Sequence, residues 1–356
     1  MRDSLPRLFY GVALTLMIGW ILVIARPIIL PVVASVVVAY VVLGFAELIG
    51  RAPGLAGVPA ALRYALAVAL SLGVMALIVW MIVQNVAQVS TLLPRYQEQF
   101  LALIQRGAVA IGLDDEPSWQ SLRRDLVGQL DLHRVILSSV VSVASIIGTF
   151  AVILIYAGFI LSEQKAFANK IARLSDQPAK VTQIQQVIRD VNSRIGTYLV
   201  MKTLINITLG LASYVILRVY GIELAGFWGL LIGLFNYIPY LGGILGVGLP
   251  TLLALVQFGE IWPVVVFVLV MCIPQVMLGN FIEPWLMGTS LNLSPFVILV
   301  SLVAWASIWG IAGAILSVPI MAILVIVFTE FDATRPLAIL LSKDGTIAGP
   351  GQLAAK

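Results

Sequence analysis

Long apolar runs, separated by short polar turns, set the pattern of this chain. About 20 consecutive apolar residues suffice to cross a bilayer as a helix. The pattern predicts spans at about residues 8–25, 28–45, 61–83, 135–161, 203–219 and 261–281, with two longer apolar segments at 224–258 and 294–328. We therefore predict an all-α, polytopic helical membrane protein with about eight membrane segments.

The two longer segments each contain a break near the middle. Polar and helix-breaking residues interrupt the first between Asn236 and Gly243, and tryptophans and glycines interrupt the second between Trp305 and Gly313. Each segment has about 35 residues, which is long for one straight span. Two arrangements remain open. The segments are either tilted, broken spans, or re-entrant hairpins that would give six full spans, two hairpins and an inverted repeat.

Two amphipathic stretches separate the apolar parts. Residues 84–134 carry apolar positions at three- and four-residue steps among charges, which predicts an extramembrane helical insertion. Residues 162–202 are amphipathic and basic, and bases concentrate in cytoplasmic loops, so we assign these helices to the cytosol. Spans one to three then occupy residues 1–83 and span four occupies residues 135–161. With the basic helices in the cytosol, the insertion lies outside and both termini lie in the cytosol. We expect the cytosolic tail, 329–356, to be loosely ordered.

Composition narrows the function classes. With 61% hydrophobic and 11% charged residues, this is not a soluble globular chain. One cysteine and one histidine leave no disulfide framework and no histidine-based metal cluster, so we expect no metal and no cofactor. The net charge of +4 is too small and dispersed to indicate a nucleic-acid partner. The sequence shows neither a glycine-rich phosphate loop nor a Ser–His–Asp nucleophile spacing, so an ATP-driven pump and an enzyme are both disfavoured.

Glu283 is the main candidate for chemistry. Residues 219–334 contain no Lys or Arg, and Glu283 is the acid of this region that falls between long apolar runs, with Pro284 directly after it. A carboxylate at membrane depth is costly unless it faces a partner or a cavity, so it is a candidate for carrying a proton or coordinating a cation. Asn280 and Gln275 lie on nearby helical faces. The alternative is an interfacial glutamate that reaches water from a helix end.

The break in the first long segment is the second candidate site. Proline removes a backbone donor and glycine permits sharp turns, so carbonyls freed at the break can coordinate a polar solute or an ion. Its candidate residues are Asn236, Tyr237, Pro239, Tyr240, Gly242 and Gly243. The alternative is a structural kink flanked by interfacial tyrosines. On the preceding span, Thr203 and Asn206 fit interhelical hydrogen bonds better than ligand contacts, and the Gly229/Gly233 spacing fits helix packing.

Two runs of the sequence carry a family resemblance. One is GLFNYIPYLGGILGVGLP at Gly233–Pro250, and the other extends from Gly279 to Pro319. With the order of the spans and the insertion after the third span, they resemble the autoinducer-2 exporter family of bacterial inner-membrane proteins. The resemblance covers most of the chain. Its specific positions in the second run include Pro284, Gly310 and Gly313, which we interpret as helix-break or packing positions.

The resemblance implies a secondary transporter that works in the lipid bilayer on a small molecule or an ion. Family members are associated with export of the quorum signal autoinducer-2 or with exchange of sodium or lithium for protons. The resemblance also implies that the protein forms a homo-oligomer, which we expect to be a pentamer. We therefore predict that 203–328 is the core transport region.

Our first hypothesis is a proton-coupled exporter of a small polar metabolite such as autoinducer-2, with Glu283 as the proton carrier. The alternative is a sodium (lithium)/proton antiporter that uses the same carboxylate and the membrane gradient. A scaffold without transport activity, and a passive channel, are two further hypotheses from other classes.

Overall fold

The computed structural model describes residues 4–51, 57–110, 148–163, 166, 170, 177–287 and 292–345. Within these residues every regular element is helical, apart from one isolated bridge between Leu293 and Ser342. The predicted all-α fold class is therefore confirmed. The insertion beyond residue 110, the first half of the fourth span and the tail beyond residue 345 lie outside the described residues.

Twelve α-helices are numbered here, all within the described part of the chain. They are α1 Ser4–Ile24, α2 Arg26–Arg51, α3 Ala60–Ala110, α4 Gly148–Glu163, α5 Pro178–Val219, α6 Ala225–Phe235, α7 Leu241–Phe258, α8 Ile261–Val276, α9 Glu283–Met287, α10 Pro295–Trp309, α11 Ile311–Glu330 and α12 Arg335–Leu341, with a π-helical segment Met277–Ile282 between α8 and α9.

Six helical stretches of the described chain are long and apolar enough to cross a membrane. They are Arg26–Gly50, Ala61–Asn85, Ile184–Val219, Leu241–Phe258, Ile261–Leu286 and Ile311–Thr329. Four shorter apolar helices accompany them. On α1, Leu14, Leu16 and Trp20 are each more than half exposed, which suits a helix surrounded by lipid because the bilayer removes the penalty for exposed apolar side chains. The predicted polytopic membrane protein is confirmed.

Two of our boundaries fall inside continuous helices. α3 runs through residues 83 and 84, and α5 runs through residues 202 and 203. No proline or glycine lies within 74–93 or 197–209, so each helix continues while its surface changes, from apolar to polar along α3 and from polar to apolar along α5. A change in hydropathy therefore marks a change of surroundings here, and not a break in the chain.

Both long apolar segments are pairs of helices packed on each other, as the interruptions in the sequence predict. The first consists of α6 and α7, joined by the turn at residues 236–240, and the second of α10 and α11, joined at Gly310. Gly310 has a φ of 66°, which an L side chain rarely adopts. A Cβ on Gly313 would lie 2.0 Å from the Trp305 carbonyl oxygen, so this glycine lets the second pair close.

The described contacts divide the chain into two compact units. One comprises 1–67, 149–201 and 287–356, and the other 68–148 and 202–286. In the first unit, a buried cluster joins α5, α11 and α12 through residues such as Leu199, Val318 and Ala338. The expectation of a loosely ordered tail is wrong for residues 335–341, because α12 docks on α11 and buries Ala338 completely.

Candidate functional site around Glu283

Glu283 is paired with a buried lysine of the second unit. The Lys202 ammonium donates to the Glu283 carboxylate, with Nζ 2.6 Å from Oε1. Lys202 is only 6% exposed, and the Glu283 side chain keeps 24% of its exposure. Glu283 thus has a partner of opposite charge, and the pair is shielded from water more strongly on the lysine side.

A distortion of the helix leads directly to Glu283. The segment Met277–Ile282 is π-helical, and Glu283 and Pro284 follow as the first residues of α9. Pro284 has no N–H to donate, and in a regular α-helix its ring would press on the carbonyl of Asn280. The wider π turn accommodates this proline. Single π turns of this kind occur frequently at functional sites.

Sequence reasoning did not identify Lys202 as the partner of Glu283. We grouped Lys202 with the cytosolic bases because it ends the basic stretch 162–202. One feature of the sequence could have indicated this partner. A mainly apolar run follows Lys202, and the helix α5 continues through it without a break. A lysine at the edge of such a run is removed from water when the helix packs, and it then needs a counter-charge.

Uncharged polar residues surround the turn of α5 that carries Lys202. Asn236 Nδ2 donates to Asn206 Oδ1 at 2.8 Å, and the Tyr237 hydroxyl donates to Thr203 Oγ1 at 2.7 Å. The predicted interhelical hydrogen bonds of Thr203 and Asn206 are therefore confirmed. We call these four residues, with Lys202 and Glu283, the polar cluster.

Glycines allow α5 and α6 to approach closely enough for these hydrogen bonds. A Cβ on Gly233 would lie 2.8 Å from the Asn206 carbonyl oxygen, and one on Gly210 would lie 2.8 Å from the Gly229 carbonyl oxygen. Both distances are shorter than any side chain tolerates, so the two backbones touch. The packing role predicted for Gly229 and Gly233 is confirmed, and this contact places Asn236 beside Asn206.

The other candidate residues occupy different positions in the second unit. The Gln275 amide lies against the start of α7, where a Cβ on Gly243 would be 3.0 Å from its Nε2. Pro239 is half-buried in the turn, whereas Gly242 is buried at the start of α7. The side chains of Asn280 and Tyr240 are exposed, so the structure does not bring them into the polar cluster. Gly310 and Gly313 belong to the first unit.

A second polar network lies at the far end of α5. Arg95 Nη1 is 3.0 Å from Glu223 Oε1, and the Tyr96 hydroxyl donates to the same carboxylate. The Glu223 backbone N–H donates to Gln257 Oε1 at 3.1 Å, and Gln257 Nε2 donates to the Gly221 carbonyl at 2.7 Å. The part of α3 that begins the predicted insertion is thereby fastened to the turn between α5 and α6.

A cavity of about 650 Å³ adjoins this network. Amides, an arginine and aromatic rings line it, including those of Gln84, Gln88, Arg218, Trp80 and Phe227. Lys202 and Arg218 are on the same helix, about 24 Å apart at the rise of an α-helix. The second unit therefore has polar groups at two levels of α5, around Lys202 in the middle of the helix and around Arg218 at its end. The distance between them is most of the thickness of a bilayer's hydrocarbon core.

Tyr96 makes the second network sensitive to alkaline pH. Burial and the hydrogen bond to Glu223 raise the pKa of Tyr96 above its usual value. Because the folded protein holds this proton more tightly, the stabilisation is present below about pH 10 and is lost as the pH rises further. We expect Tyr96→Phe to lower stability by about 1 kcal/mol at pH 8 and to make the loss of stability above pH 10 shallower. Melting temperatures of purified protein at pH 8 and above pH 10 test this.

The exposed Tyr64 provides the matched control for this measurement. Tyr64→Phe should keep the wild-type dependence on pH. Equal slopes above pH 10 for wild type and Tyr96→Phe would contradict the assignment of the alkaline effect to the bond between Tyr96 and Glu223.

Within the described residues no three His, Cys, Asp or Glu side chains lie close enough together to hold a metal ion. The polar cluster instead combines one ion pair with hydroxyl and amide groups in a helical membrane protein. Such an arrangement can exchange a proton or a cation at the pair and can offer hydrogen bonds to a polar solute.

Comparisons with known proteins agree with this description. The chain is 31% identical to the AI-2 transport protein TqsA of Escherichia coli over 185 residues, 52% of each chain. It is 27% identical over 209 residues to a "Putative transport protein" of Borreliella burgdorferi, covering 58% of each chain. A "Putative transport protein" of Haemophilus influenzae is 27% identical over 262 residues, 72% of this chain and 73% of the relative.

The first two of these alignments span little more than half the length of the relatives. The family model described as AI-2E family transporter, in contrast, matches residues 11–333, which include the whole polar cluster and most of both units. The chain is an integral membrane protein and belongs to the AI-2E transporter family.

Proposed function

We propose that this protein is a proton-coupled secondary transporter that exports a small polar metabolite such as autoinducer-2. The observation that carries the proposal is the buried ion pair of Lys202 and Glu283, at 2.6 Å. The name of the relative TqsA, an AI-2 transport protein, supports autoinducer-2 as a candidate solute.

The ion pair supports coupling between proton binding and solute movement, because each of its two charges is stabilised by the other. A proton that binds Glu283 removes the counter-charge of Lys202, and a buried, unpaired ammonium is strongly unfavourable. The protonated state is therefore relieved when Lys202 reaches water, loses its own proton or meets another partner. The first and the last of these require the site to open or to bind a solute, and this links proton uptake to a change at the site.

The residues around the Lys202–Glu283 ion pair favour a polar, uncharged molecule as the transported solute. Thr203, Asn206, Asn236 and Tyr237 offer hydroxyl and amide groups without net charge. Because Lys202 and Glu283 neutralise each other, the polar cluster as a whole has no net charge either. A hydroxylated or carbonyl-bearing molecule matches such surroundings better than a strongly charged one, whose desolvation would remain uncompensated.

One observation also favours sodium (lithium)/proton antiport as the second candidate function. The Lys202 ammonium occupies the place at the Glu283 carboxylate that a cation would take. A sodium ion that binds there as Lys202 gives up a proton would exchange one positive charge for another without adding charge to the site. Hydroxyl and carbonyl oxygens nearby would complete the coordination.

Further parts of the proposal rest on the pattern of bases and on the family resemblance. We place the protein in the bacterial inner membrane with both termini in the cytosol, since the basic stretch 162–202 belongs on that side. We also propose that the two helix pairs are re-entrant hairpins and that the protein assembles as a pentamer. The domain scheme of spans, insertion, cytosolic helices and core transport region belongs to the same proposal.

Proteoliposomes with an internal pH indicator test the function. Autoinducer-2, sodium or lithium is added outside, and proton movement and solute uptake are followed together. We compare wild type with the double variant Lys202→Met/Glu283→Gln, which removes both charges and leaves neither partner alone. Gly248→Ala is the control, because a Cβ there meets no atom within 4 Å.

We expect proton movement that depends on one solute in wild type and Gly248→Ala, and its loss in the double variant. Autoinducer-2 as that solute supports the exporter, and sodium or lithium supports the antiporter. Solute flux that persists unchanged in the double variant would contradict the coupling role and indicate a passive path. No flux of any solute in wild type would favour the scaffold hypothesis.

A further inference from the structure

We propose that the cavity at the end of α5 binds the headgroup of an anionic phospholipid, with the Arg218 guanidinium holding the phosphate. This site lies outside the polar cluster around Glu283. The inference goes beyond the proposed function, because it adds a lipid ligand whatever solute the protein moves.

The cavity lies where three helices of the second unit meet. It has a volume of about 650 Å³, and its lining comes from α3, the end of α5 and the start of α6. A Cβ on Gly226 would lie 2.9 Å from Met81 Cε and 3.9 Å from Tyr214 Cε2, so α6 begins in contact with both other helices. Pockets of roughly 300–1,000 Å³ hold organic ligands. The cavity therefore has room for a lipid headgroup and not only for a small ion.

The lining carries one positive charge without an internal counter-charge. Its charged side chains are those of Glu223 and Arg218. The Glu223 carboxylate is already paired with Arg95, with Nη1 at 3.0 Å, and accepts from the Tyr96 hydroxyl. Arg218 makes no ion pair with any residue in the described part of the chain. Because the planar guanidinium matches a phosphate with two parallel hydrogen bonds, the charge favours a phosphate-bearing ligand.

The depth of the cavity favours a ligand from the bilayer. The candidate spans in α3 and α5 end at Asn85 and Val219, and the cavity lies at these ends. Beyond the end of an apolar span, the hydrocarbon core gives way to lipid headgroups. Trp80 and Tyr214, which line the cavity, are 60% and 39% exposed. Tryptophan and tyrosine are enriched at this level of a membrane.

Amide groups add hydrogen-bonding capacity beside the guanidinium. The side chains of Gln84 and Gln88 both line the cavity, and they lie one turn apart on one face of α3. A carboxamide can donate to phosphate and ester oxygens and can accept from a hydroxyl group. The lining thus offers a cation for the phosphate and polar groups for the rest of a hydroxylated headgroup.

Exposed apolar side chains continue from the cavity along both spans. They are Leu211 and Val215 on α5 and Leu77 on α3, which are 61%, 57% and 51% exposed. Each precedes by three positions a residue that lines the cavity, so each shares a helix face with it. An acyl chain attached to a headgroup at Arg218 would lie along these side chains. A soluble anion would gain nothing from them, and we therefore assign the cavity to a phospholipid.

The test measures lipid binding to the full chain, purified in a neutral detergent. Binding is followed as the rise in melting temperature with increasing probe concentration. The probes are phosphatidylglycerol, phosphatidylcholine with the same acyl chains, and soluble glycerol phosphate. The variants are Arg218→Gln and Arg218→Lys. Arg189→Gln is the matched control, because Arg189 is an exposed arginine on the same helix that does not line the cavity.

We expect phosphatidylglycerol to bind wild type and Arg189→Gln with equal affinity, and to bind Arg218→Gln about tenfold to a hundredfold more weakly. Arg218→Lys should fall between them, because it keeps the charge but loses the planar fork. Phosphatidylcholine should bind more weakly because its cationic group faces Arg218, and glycerol phosphate because it lacks acyl chains. Since Arg218 is exposed, Arg218→Gln without lipid should melt at the wild-type temperature.

A second measurement locates the lipid. Phosphatidylglycerol with brominated acyl chains quenches tryptophan fluorescence at short range, and Trp80 lines the cavity. We expect part of the quenching to be lost in Arg218→Gln. The same part should be missing in Trp80→Phe.

Four results would overturn the inference. One is equal affinity of wild type and Arg218→Gln for phosphatidylglycerol, and another is an equal weakening by Arg189→Gln, which indicates general attraction between charges. Glycerol phosphate that binds as tightly as phosphatidylglycerol would assign the cavity to a soluble organic phosphate. Quenching that depends on Arg218 but persists in Trp80→Phe would place the lipid elsewhere.

Discussion

Glu283→Gln is expected to lower the stability of this protein by about 3–5 kcal/mol, the usual cost of stranding a buried charge. The substitution preserves the size of the side chain but removes the counter-charge of Lys202. Lys202 is 6% exposed, so water cannot replace the lost carboxylate. The reverse substitution, Lys202→Met, strands a carboxylate that retains 24% of its exposure. Water screens this charge in part, and we expect a smaller loss, roughly 1–3 kcal/mol.

The double variant Lys202→Met/Glu283→Gln is expected to be nearly as stable as wild type, because no charge is left unpaired. Replacing a buried pair by uncharged groups is often neutral, whereas removing one partner is costly. The effects of the two single substitutions should therefore not add, as holds for side chains in direct contact. Thermal melting of the four proteins in detergent gives this double-mutant cycle.

Arg95→Met serves as the matched control in the cycle. It breaks a second ion pair of the same unit, with Glu223 at 3.0 Å, but the Arg95 side chain is 58% exposed. An exposed pair contributes at most about 1 kcal/mol. Glu283→Gln and Arg95→Met with equal, small effects would show that water reaches Lys202, and the ion pair would then lose its role as a coupling element.

The sequence predicts those parts of the fold and site that depend on local chemistry. The break at Gly310 follows from glycine chemistry, and the turn at residues 236–240 follows from Pro239 and its polar neighbours. Glu283 stands out because it is an acid among apolar residues. In each of these cases the signal lies within a few positions of the residue concerned.

The partners of these residues could not be predicted from the sequence. Lys202 and Glu283 are 81 positions apart, and Asn206 and Asn236 are 30 apart. Helical periodicity describes one helix at a time, so it does not show which faces meet. The continuity of α5 through Lys202 was also hidden, since the change in polarity there resembles the end of a span.

Gly242→Ala is expected to disrupt the pair of α6 and α7, whereas Gly243→Ala, one position along, should be tolerated. A Cβ on Gly242 would lie 2.5 Å from the Phe235 carbonyl oxygen and 2.6 Å from Asn236 Cα. Both are backbone atoms, at the end of α6 and the start of the turn, so the turn itself would have to open. Overpacking of this kind costs about 1–3 kcal/mol or more, which exceeds the gain of about 1 kcal/mol from replacing a helical glycine by alanine.

At Gly243 the same added methyl group meets a different neighbour. Its Cβ would be 3.0 Å from Nε2 of Gln275, the end of a flexible side chain that can rotate away. The gain in helix propensity then remains, and the melting temperature should stay equal or rise. If opening the turn moves Asn236 away from Asn206, Gly242→Ala will also weaken solute uptake in proteoliposomes, while Gly243→Ala will not. Equal losses in both variants would contradict the close packing of this turn and, with it, the placement of Asn236 beside Asn206.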